Sequence, residues 1–229
     1  MVSFRPDGFF ALAGIDSQPL LLVGAWLCYF AIHSLLASLG LKRLVARRWP
    51  ALMPAYRLLF NLQAILLLIP PLYLTYQWDG PFLWRWIGAG WWLANGLALL
   101  GLGLFFWSLR YYDSGEFLGL KQWRERQRRV EDQERFHISP LHRFVRHPWY
   151  ALGLVLVWTR DMNLALLLSA IVITLYFIVG SRWEERKLIA YHGEIYRRYR
   201  QQVPGLIPLP WRYLNRIEAE ALQQHDQHF

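Results

Sequence analysis

The 229-residue sequence predicts an all-α, polytopic integral membrane protein with about five transmembrane helices, the last two a helical hairpin, and a cytoplasmic C-terminal helical tail. Hydrophobic residues make up 55% of the chain and charged residues only 18%, against about 25% in soluble domains. Several uncharged runs reach the roughly 20 residues that cross a bilayer as a helix. The single Cys28 excludes an internal disulfide and a Cys-based zinc site.

Five apolar runs account for the predicted helices. Three long runs without charge predict the first three spans, at 20–40, 58–78 and 86–109. Two shorter runs predict the fourth and fifth spans, at 148–159 and 163–180. Only Arg160, Asp161 and Met162 separate these two runs, which predicts a tight turn and therefore a helical hairpin. Phe144 and Val145 can extend the shorter fourth run.

The distribution of lysine and arginine predicts the orientation in the membrane. Of the 25 basic residues, 22 lie after the first, third and fifth predicted spans, and only Arg5, Arg85 and Arg160 lie in the other segments. Because cytoplasmic loops are enriched in Lys and Arg, we expect the C-terminus in the cytoplasm and the N-terminus outside, in the inner membrane if the source is bacterial. The net charge of +9 is then explained without nucleic acid as a partner.

A candidate anion site lies at the start of the predicted fourth span. Pro148 suits the first turn of a helix, so Arg146 and His147 stand just before a helix N-terminus. Free backbone N–H groups and the helix dipole favour a carboxylate or phosphate there, and Arg146 adds a bidentate donor. Tyr150 projects from the first turn toward the same region. The alternative is that Arg146 and His147 only anchor the chain at the membrane interface.

Two carboxylates follow the predicted fifth span. Glu184 and Glu185 stand at a helix C-terminus near hydrocarbon, where a carboxylate is unfavourable without a cation. Both a salt-bridged anchor and a site for a cationic or polyhydroxyl ligand explain this pair. Tyr196 and Tyr199 share one face of a later helix. The alternative to a binding role for this face is that the helix is amphipathic and lies on the membrane surface. His33, in the first span, is a haem ligand, a pore group or a hydrogen-bonding partner of a neighbouring helix. No metal-binding motif occurs.

Together, these stretches resemble the C-terminal half of the membrane methyltransferases related to isoprenylcysteine carboxyl methyltransferase. The resembling residues, over about 65 positions, are Arg146-His147-Pro148-x-Tyr150, the hairpin, Glu184-Glu185, Gly193-x-x-Tyr196-x-x-Tyr199-x-x-x-Val203-Pro204 and Ile207-Pro208. Upstream stretches look like the bacterial methanethiol S-methyltransferase branch and related NnrU-type proteins. They are His33-Ser34 with Lys42, and Phe117-x-Gly119-Leu120-Lys121-Gln122.

The resemblance implies S-adenosylmethionine as methyl donor, bound at the cytoplasmic ends of the last two spans. The residues implied to bind it are Arg146, His147, Tyr150, Glu184, Glu185, Tyr196 and Tyr199. The basic side chains and the helix N-terminus suit the donor's carboxylate, whereas the carboxylates and aromatic faces suit its ammonium and sulfonium. The residues implied to be catalytic are Arg182, Glu185 and His147. Glu185 or His147 would assist the deprotonation of a thiol, and Arg182 would orient a carboxylate acceptor.

The implied function is methyl transfer, within the lipid bilayer, to a small thiol or a lipophilic acceptor (S- or O-methylation). We expect an N-terminal transmembrane region with three spans and a cytoplasmic loop at 1–140, a catalytic region at 141–217 and a flexible polar tail at 218–229. Two alternatives stay open. One is an NnrU-like haem-associated protein or isomerase with His33 as a ligand, and the other is a non-catalytic membrane scaffold.

Overall fold

The computed structural model describes residues 17–78, 80–128, 130 and 136–226. These residues are mostly α-helical, as predicted. The α-helices found in them are Ser17–Ala37 (α1), Leu39–Arg48 (α2), Met53–Gln77 (α3), Gly88–Ser108 (α4), Ser114–Leu118 (α5), Leu120–Arg124 (α6), Pro148–Trp158 (α7), Leu164–Gln202 (α8) and Arg216–Asp226 (α9). Two short strands accompany them, Phe82–Trp84 (β1) and Met162–Asn163 (β2).

Four helices are long and apolar enough to cross a membrane, which supports the predicted polytopic architecture. They are α1, α3, α4 and α8. Helix α7 is also apolar, but it has only 11 residues. At 1.5 Å per residue it is about 16 Å long, roughly half the thickness of the hydrocarbon core. The helix at the predicted fourth span is therefore shorter than the hydrocarbon core is thick.

The described chain forms two compact units. The first takes its residues from 17–85, 118–130 and 161–173, and the second from 86–117, 136–160 and 174–226. In the first unit, α1 packs on α3, and a chain of buried hydrogen bonds joins the helices. The indole of Trp26 donates to Ser169 (2.9 Å), whose hydroxyl lies 2.8 Å from that of Thr75, and Thr75 donates to the carbonyl of Pro71 (2.7 Å). Such bonds satisfy polar groups that lipid cannot.

Helix α6 also packs on α3 in the first unit. It begins after Gly119, whose φ of +88° places it in the left-handed region that favours glycine. A Cβ at this position would lie 2.8 Å from the backbone nitrogen of Leu58 and 2.9 Å from Cβ of Arg57. The amide of Asn61 donates to the carbonyl of Leu118 (3.2 Å). The glycine thus permits a close approach between this segment and α3.

The short connection between α7 and α8 ends in a strand, β2. Strand β2 pairs antiparallel with β1 in the first unit, with Phe82 opposite Asn163 and Trp84 opposite Met162. Residues 162 and 163 are therefore extended. This strand pair was not predicted, because the partner strand lies about 80 residues away and a two-residue strand carries no periodic pattern of its own.

In the second unit, α4 packs against α7. Gly101 is buried at this contact, and a Cβ there would be in ordinary van der Waals contact with a methyl group of Val155 (3.7 Å). Near the end of α4, the hydroxyl of Ser108 accepts a hydrogen bond from the indole of Trp149 (2.8 Å). Because Trp149 is the second residue of α7, this bond sets the N-terminal end of α7 level with the C-terminal end of α4.

The C-terminal part of the second unit contains a kink and a further helix. Helix α8 kinks at Gly193 (φ 55°, ψ −124°), a conformation available mainly to glycine. The expected flexible tail at 218–229 is helical as far as Asp226, and residues 227–229 lie outside the described residues. Its start is a capping box, in which Asn215 and Glu218 each accept the other's backbone N–H (2.9 and 2.7 Å). The spacing of Asn215 and Glu218 is a helix-start signal in the sequence, although no helix was predicted here.

Candidate functional site

Four charged side chains meet where α7 begins and the apolar part of α8 ends. Arg146 and His147 precede Pro148, the first residue of α7. Glu184 and Glu185 lie just beyond the uncharged stretch of α8. We refer to Arg146, His147, Glu184 and Glu185 as the ion cluster. The structure therefore brings together the two pairs that the sequence analysis identified separately.

Arg146 uses its guanidinium to connect three parts of the chain. Its Nη2 and Nε lie 2.7 and 2.8 Å from Oε1 of Glu185. Its Nη1 donates to the carbonyls of Arg200 (3.0 Å) and Val203. A planar guanidinium is the side chain suited to several directed hydrogen bonds at once. Arg146 therefore fixes Glu185 and the end of α8 in one arrangement.

His147 is buried between the two carboxylates. Its Nε2 lies 3.2 Å from Oε1 of Glu185, and its Nδ1 lies 3.4 Å from Oε2 of Glu184. Burial alone would lower the pKa of His147, but hydrogen bonds to Glu184 and Glu185 and their negative charge outweigh burial and raise it. The cationic form of the imidazole is thus favoured.

Both carboxylates are held in their charged form. Burial alone would raise the pKa of Glu184, but its hydrogen bond to His147 and the imidazolium charge outweigh burial and lower that pKa. Burial would likewise raise the pKa of Glu185, and His147 and Arg146 lower it. The side chain of Glu185 is 9% exposed, whereas that of Glu184 is 48% exposed. Glu184 is therefore the most accessible member of the ion cluster.

A stack of three rings extends from the ion cluster along α7 and α8. The ring of His147 lies parallel to that of Tyr150, with centroids 5.4 Å apart and planes at 8°. Phe177 stacks on the other side of Tyr150 at 4.7 Å and 4°. The hydroxyl of Tyr150 donates to Oε2 of Glu184 (3.2 Å). Tyr150 thereby orients both His147 and the exposed carboxylate.

The segment after α8 crosses the start of α7. The backbone N–H groups of Arg146 and His147 donate to the carbonyls of Pro204 (2.9 Å) and Gly205 (3.1 Å). Further on, the N–H of Leu214 donates to the carbonyl of Arg143 (3.0 Å), and Nε of Arg143 donates back to the carbonyl of Leu214 (2.9 Å). Backbone pairing therefore attaches this segment to the cluster.

The other predicted site residues differ in their surroundings, and Tyr196 and Tyr199 lie within reach of the charges of Arg146 and Glu185. Tyr196 and Tyr199 are buried in an apolar cluster that also includes Ile138, Val203, Leu214 and Ala219. Burial raises the pKa of both tyrosines, and the hydroxyl of Tyr199 donates to the carbonyl of His142 (2.6 Å). Arg182 is exposed and takes part in none of the contacts above. His33 belongs to the first unit, where it contacts the rings of Tyr29 and Phe60.

Two residues that shape the site, Phe177 and Arg143, were not predicted from the sequence. Phe177 completes the ring stack, but it lies inside a continuous apolar run that gives no sign of a special role. Arg143 attaches the segment after α8 through a backbone carbonyl, an interaction that leaves no mark in a sequence. The Arg146–Glu185 pair did carry a signal, since opposite charges stand at the adjoining ends of two helices predicted to form a hairpin.

Comparisons with known proteins connect this arrangement to one family. Methanethiol S-methyltransferase 2 of Bradyrhizobium diazoefficiens is 35% identical over 185 residues, which cover 78% of this chain and 69% of that protein. Methanethiol S-methyltransferase of a Pseudomonas species is 35% identical over 122 residues, covering 51% of this chain and 43% of that protein. The corresponding protein of Crocosphaera subtropica is 43% identical over 75 residues, 32% of this chain and 29% of that protein. No protein-family profile and no solved structure matches.

Fold and site define a polytopic α-helical membrane protein with a charged cluster at the ends of two apolar helices. By its similarity to the Bradyrhizobium protein, the chain belongs to the methanethiol S-methyltransferase family. It spans less than half the length of the Pseudomonas relative and about two thirds of the Bradyrhizobium one.

Proposed function

We propose that the chain is a membrane methyltransferase that transfers a methyl group from S-adenosylmethionine to a small thiol. The observation that carries the proposal is the ion cluster at the start of α7, with a carboxylate on its exposed side, in a chain 35% identical to a methanethiol S-methyltransferase. The thiol is preferred to other lipophilic acceptors because the relatives are named for methanethiol.

The donor set of the site fits S-adenosylmethionine. The donor's ammonium and sulfonium need anionic and aromatic partners, which Glu184 and Tyr150 supply on adjoining helices. Its carboxylate needs N–H donors, and no side chain caps the N-terminus of α7. Arg146 is already bonded to Glu185 and to two carbonyls, so we assign it to positioning instead of direct carboxylate binding.

The remaining roles follow from protonation and geometry. When bound, S-adenosylmethionine supplies a methyl group activated by a sulfonium. His147 holds Glu184 and Glu185 in place as an imidazolium. In its neutral form the remaining proton stays on Nε2 toward Glu185, and Nδ1, which faces the more exposed Glu184, accepts the proton that the thiol loses on methylation. Tyr150 orients Glu184. A thiol has no carboxylate to orient, so the proposal gives Arg182 no part in the reaction.

The proposed topology has five membrane segments, with α7 as a short fourth one. The N-terminus lies outside, and the C-terminus and the site face the cytoplasm. Support comes from the 22 basic residues that follow the first, third and fifth segments. In a bacterium this places the protein in the inner membrane.

Calorimetry with S-adenosylhomocysteine, on protein in lipid nanodiscs, tests donor binding. The wild type should bind, and Glu184→Gln should weaken binding about tenfold or more, because a charge-assisted contact contributes roughly 1.5–3 kcal/mol. Arg182→Gln is the matched control and should bind like the wild type. Absence of binding by the wild type contradicts the proposal and favours a non-catalytic scaffold. A Soret band in the purified protein would favour the haem-associated alternative.

A further inference from the structure

Residues 203–214 form the segment that crosses the start of α7, and we refer to this segment as the strap. It has a feature that methyl transfer does not use. Both of its ends are fixed, through Pro204 and Gly205 at one end and Leu214 at the other. Its middle is exposed: Ile207 is 71% exposed and Trp211 74%. A turn closed by the N–H of Arg212 and the carbonyl of Leu209 (3.0 Å) carries Trp211 at its tip.

The strap is attached at the depth where apolar helices end. The bond from Trp149 to Ser108 sets the start of α7 level with the end of α4. The pair of Arg146 and Glu185 sets the same point just beyond the uncharged part of α8. The strap pairs directly with residues 146 and 147. The strap therefore lies level with the ends of these apolar helices.

The exposed surface of the strap has the composition of an interfacial segment. Tyr213 stacks on Phe144 (centroids 5.9 Å, planes 21° apart), and both rings are exposed, which continues the apolar surface to the start of α7. Tryptophan and tyrosine prefer this depth of the bilayer because one end of each ring is apolar and the other polar. Pro208 and Pro210 flank Leu209 and have no N–H groups, so moving this backbone out of water is less costly.

We propose that the strap docks into the bilayer interface, with Ile207 and Trp211 as its inserted side chains. The occupant of this surface is lipid, because the surface continues from helix ends that already lie at that depth. The basic side chain of the strap, Arg212, donates to the carbonyl of Gln201 (2.5 Å), so the docking depends on apolar and aromatic insertion and not on anionic lipid. The strap begins at Val203, whose carbonyl accepts from Arg146, so its docking also holds one side of the ion cluster.

Depth measurement by fluorescence quenching tests the docking. The chain's one cysteine is first replaced, Cys28→Ala, and single cysteines are introduced by Trp211→Cys, Glu194→Cys or Leu99→Cys. Each is labelled with an environment-sensitive fluorophore in phosphatidylcholine nanodiscs. Glu194 lies in an exposed ion pair with Arg197 and serves as the aqueous control. Leu99 is an exposed residue within α4 and serves as the hydrocarbon control.

The label at position 211 should be quenched several-fold more by lipids spin-labelled near the headgroup than by iodide or by lipids labelled deep in the acyl chain. Position 194 should respond to iodide, and position 99 to the deep label. A position-211 response matching that of position 194 would overturn the proposal. Energy transfer between labels at position 211 without lipid quenching would overturn it too, since a second copy of the chain would then cover the strap. Ile207→Cys provides an independent second position.

Discussion

Arg146 shows how one side chain can connect several parts of a site, since it bonds to Glu185, Arg200 and Val203. Its side chain is only 12% exposed, and its guanidinium is shared between Glu185 and carbonyls at the end of α8. His147, beside it, is oriented through both ring nitrogens by two carboxylates. The sequence predicted which residue types would gather here, because charges next to apolar runs are costly unless paired. The predicted hairpin brings these charges to the same end, but the sequence does not specify which cation bonds to which carboxylate, since that depends on how residues 39 apart meet.

Replacing Arg146 by lysine keeps the charge but removes the simultaneous bonds to Glu185 and the two carbonyls. A lysine has one compact ammonium and cannot reproduce the planar donor set. We expect Arg146→Lys to weaken S-adenosylhomocysteine binding about tenfold or more, at about 1.4 kcal/mol per tenfold change. Calorimetry measures this change. Arg182→Lys makes the same substitution at an exposed residue, and an equal loss in both variants would contradict a special role for Arg146.

The raised pKa of His147 predicts a pH dependence of methyl transfer. Because the neutral imidazole accepts the thiol proton, the rate should rise with pH through the raised pKa and fall below it. Glu184→Gln removes one of the charges that raise this pKa, so the rise should move to lower pH, even though the variant binds the donor more weakly. The measurement is the pH profile of the rate at saturating donor. A rise that stays in place in Glu184→Gln would show that His147 does not control it.

At the scale of elements, long apolar runs were predictable and short backbone-defined features were not. The predicted run 20–40 corresponds to α1, which ends at Ala37 because Ser38 caps a new helix, its hydroxyl accepting from the N–H of Leu41 (3.3 Å). The strand pair β1–β2 and the kink at Gly193 arise from backbone geometry, which hydrophobic periodicity does not report. Helix α7 was predicted in position but is too short to span fully on its own.

The contact of Gly119 with α3 predicts a strong effect of a single added methyl group. Gly119→Ala would place Cβ 2.8 Å from a backbone nitrogen and force an alanine into the left-handed region. We expect a loss of stability of about 2–4 kcal/mol from these two costs together, seen as a lower thermal unfolding temperature in nanodiscs.

Gly88→Ala is the matched control for this substitution. Gly88 also has a positive φ, of +53°, but a Cβ added there would have no neighbouring atom within 4 Å. It should therefore incur only the conformational cost of about 1–2 kcal/mol. Equal unfolding temperatures for the two variants would show that close packing on α3 does not limit position 119.

For the whole molecule, the apolar helices, the ion cluster and the family describe the same kind of protein. The composition predicted a membrane protein, and four long apolar helices support that prediction. Membership of the methanethiol S-methyltransferase family is shown by the 35% identity that extends over 69% of a relative. The motif that contains Tyr196 and Tyr199 does not indicate how these side chains pack. Shared spacing identified them, but only packing shows that they lie in a buried apolar cluster.

The most direct measurement is methyl transfer by the purified protein in lipid nanodiscs. The protein is incubated with methyl-labelled S-adenosylmethionine and methanethiol, and the volatile product is analysed by gas chromatography with mass detection. The account predicts labelled dimethyl sulfide from the wild type and from Arg182→Gln, and a rate at least tenfold lower from Glu184→Gln at limiting donor. Donor binding without any labelled sulfide would contradict the thiol as acceptor, and equal rates for all three proteins would contradict the site.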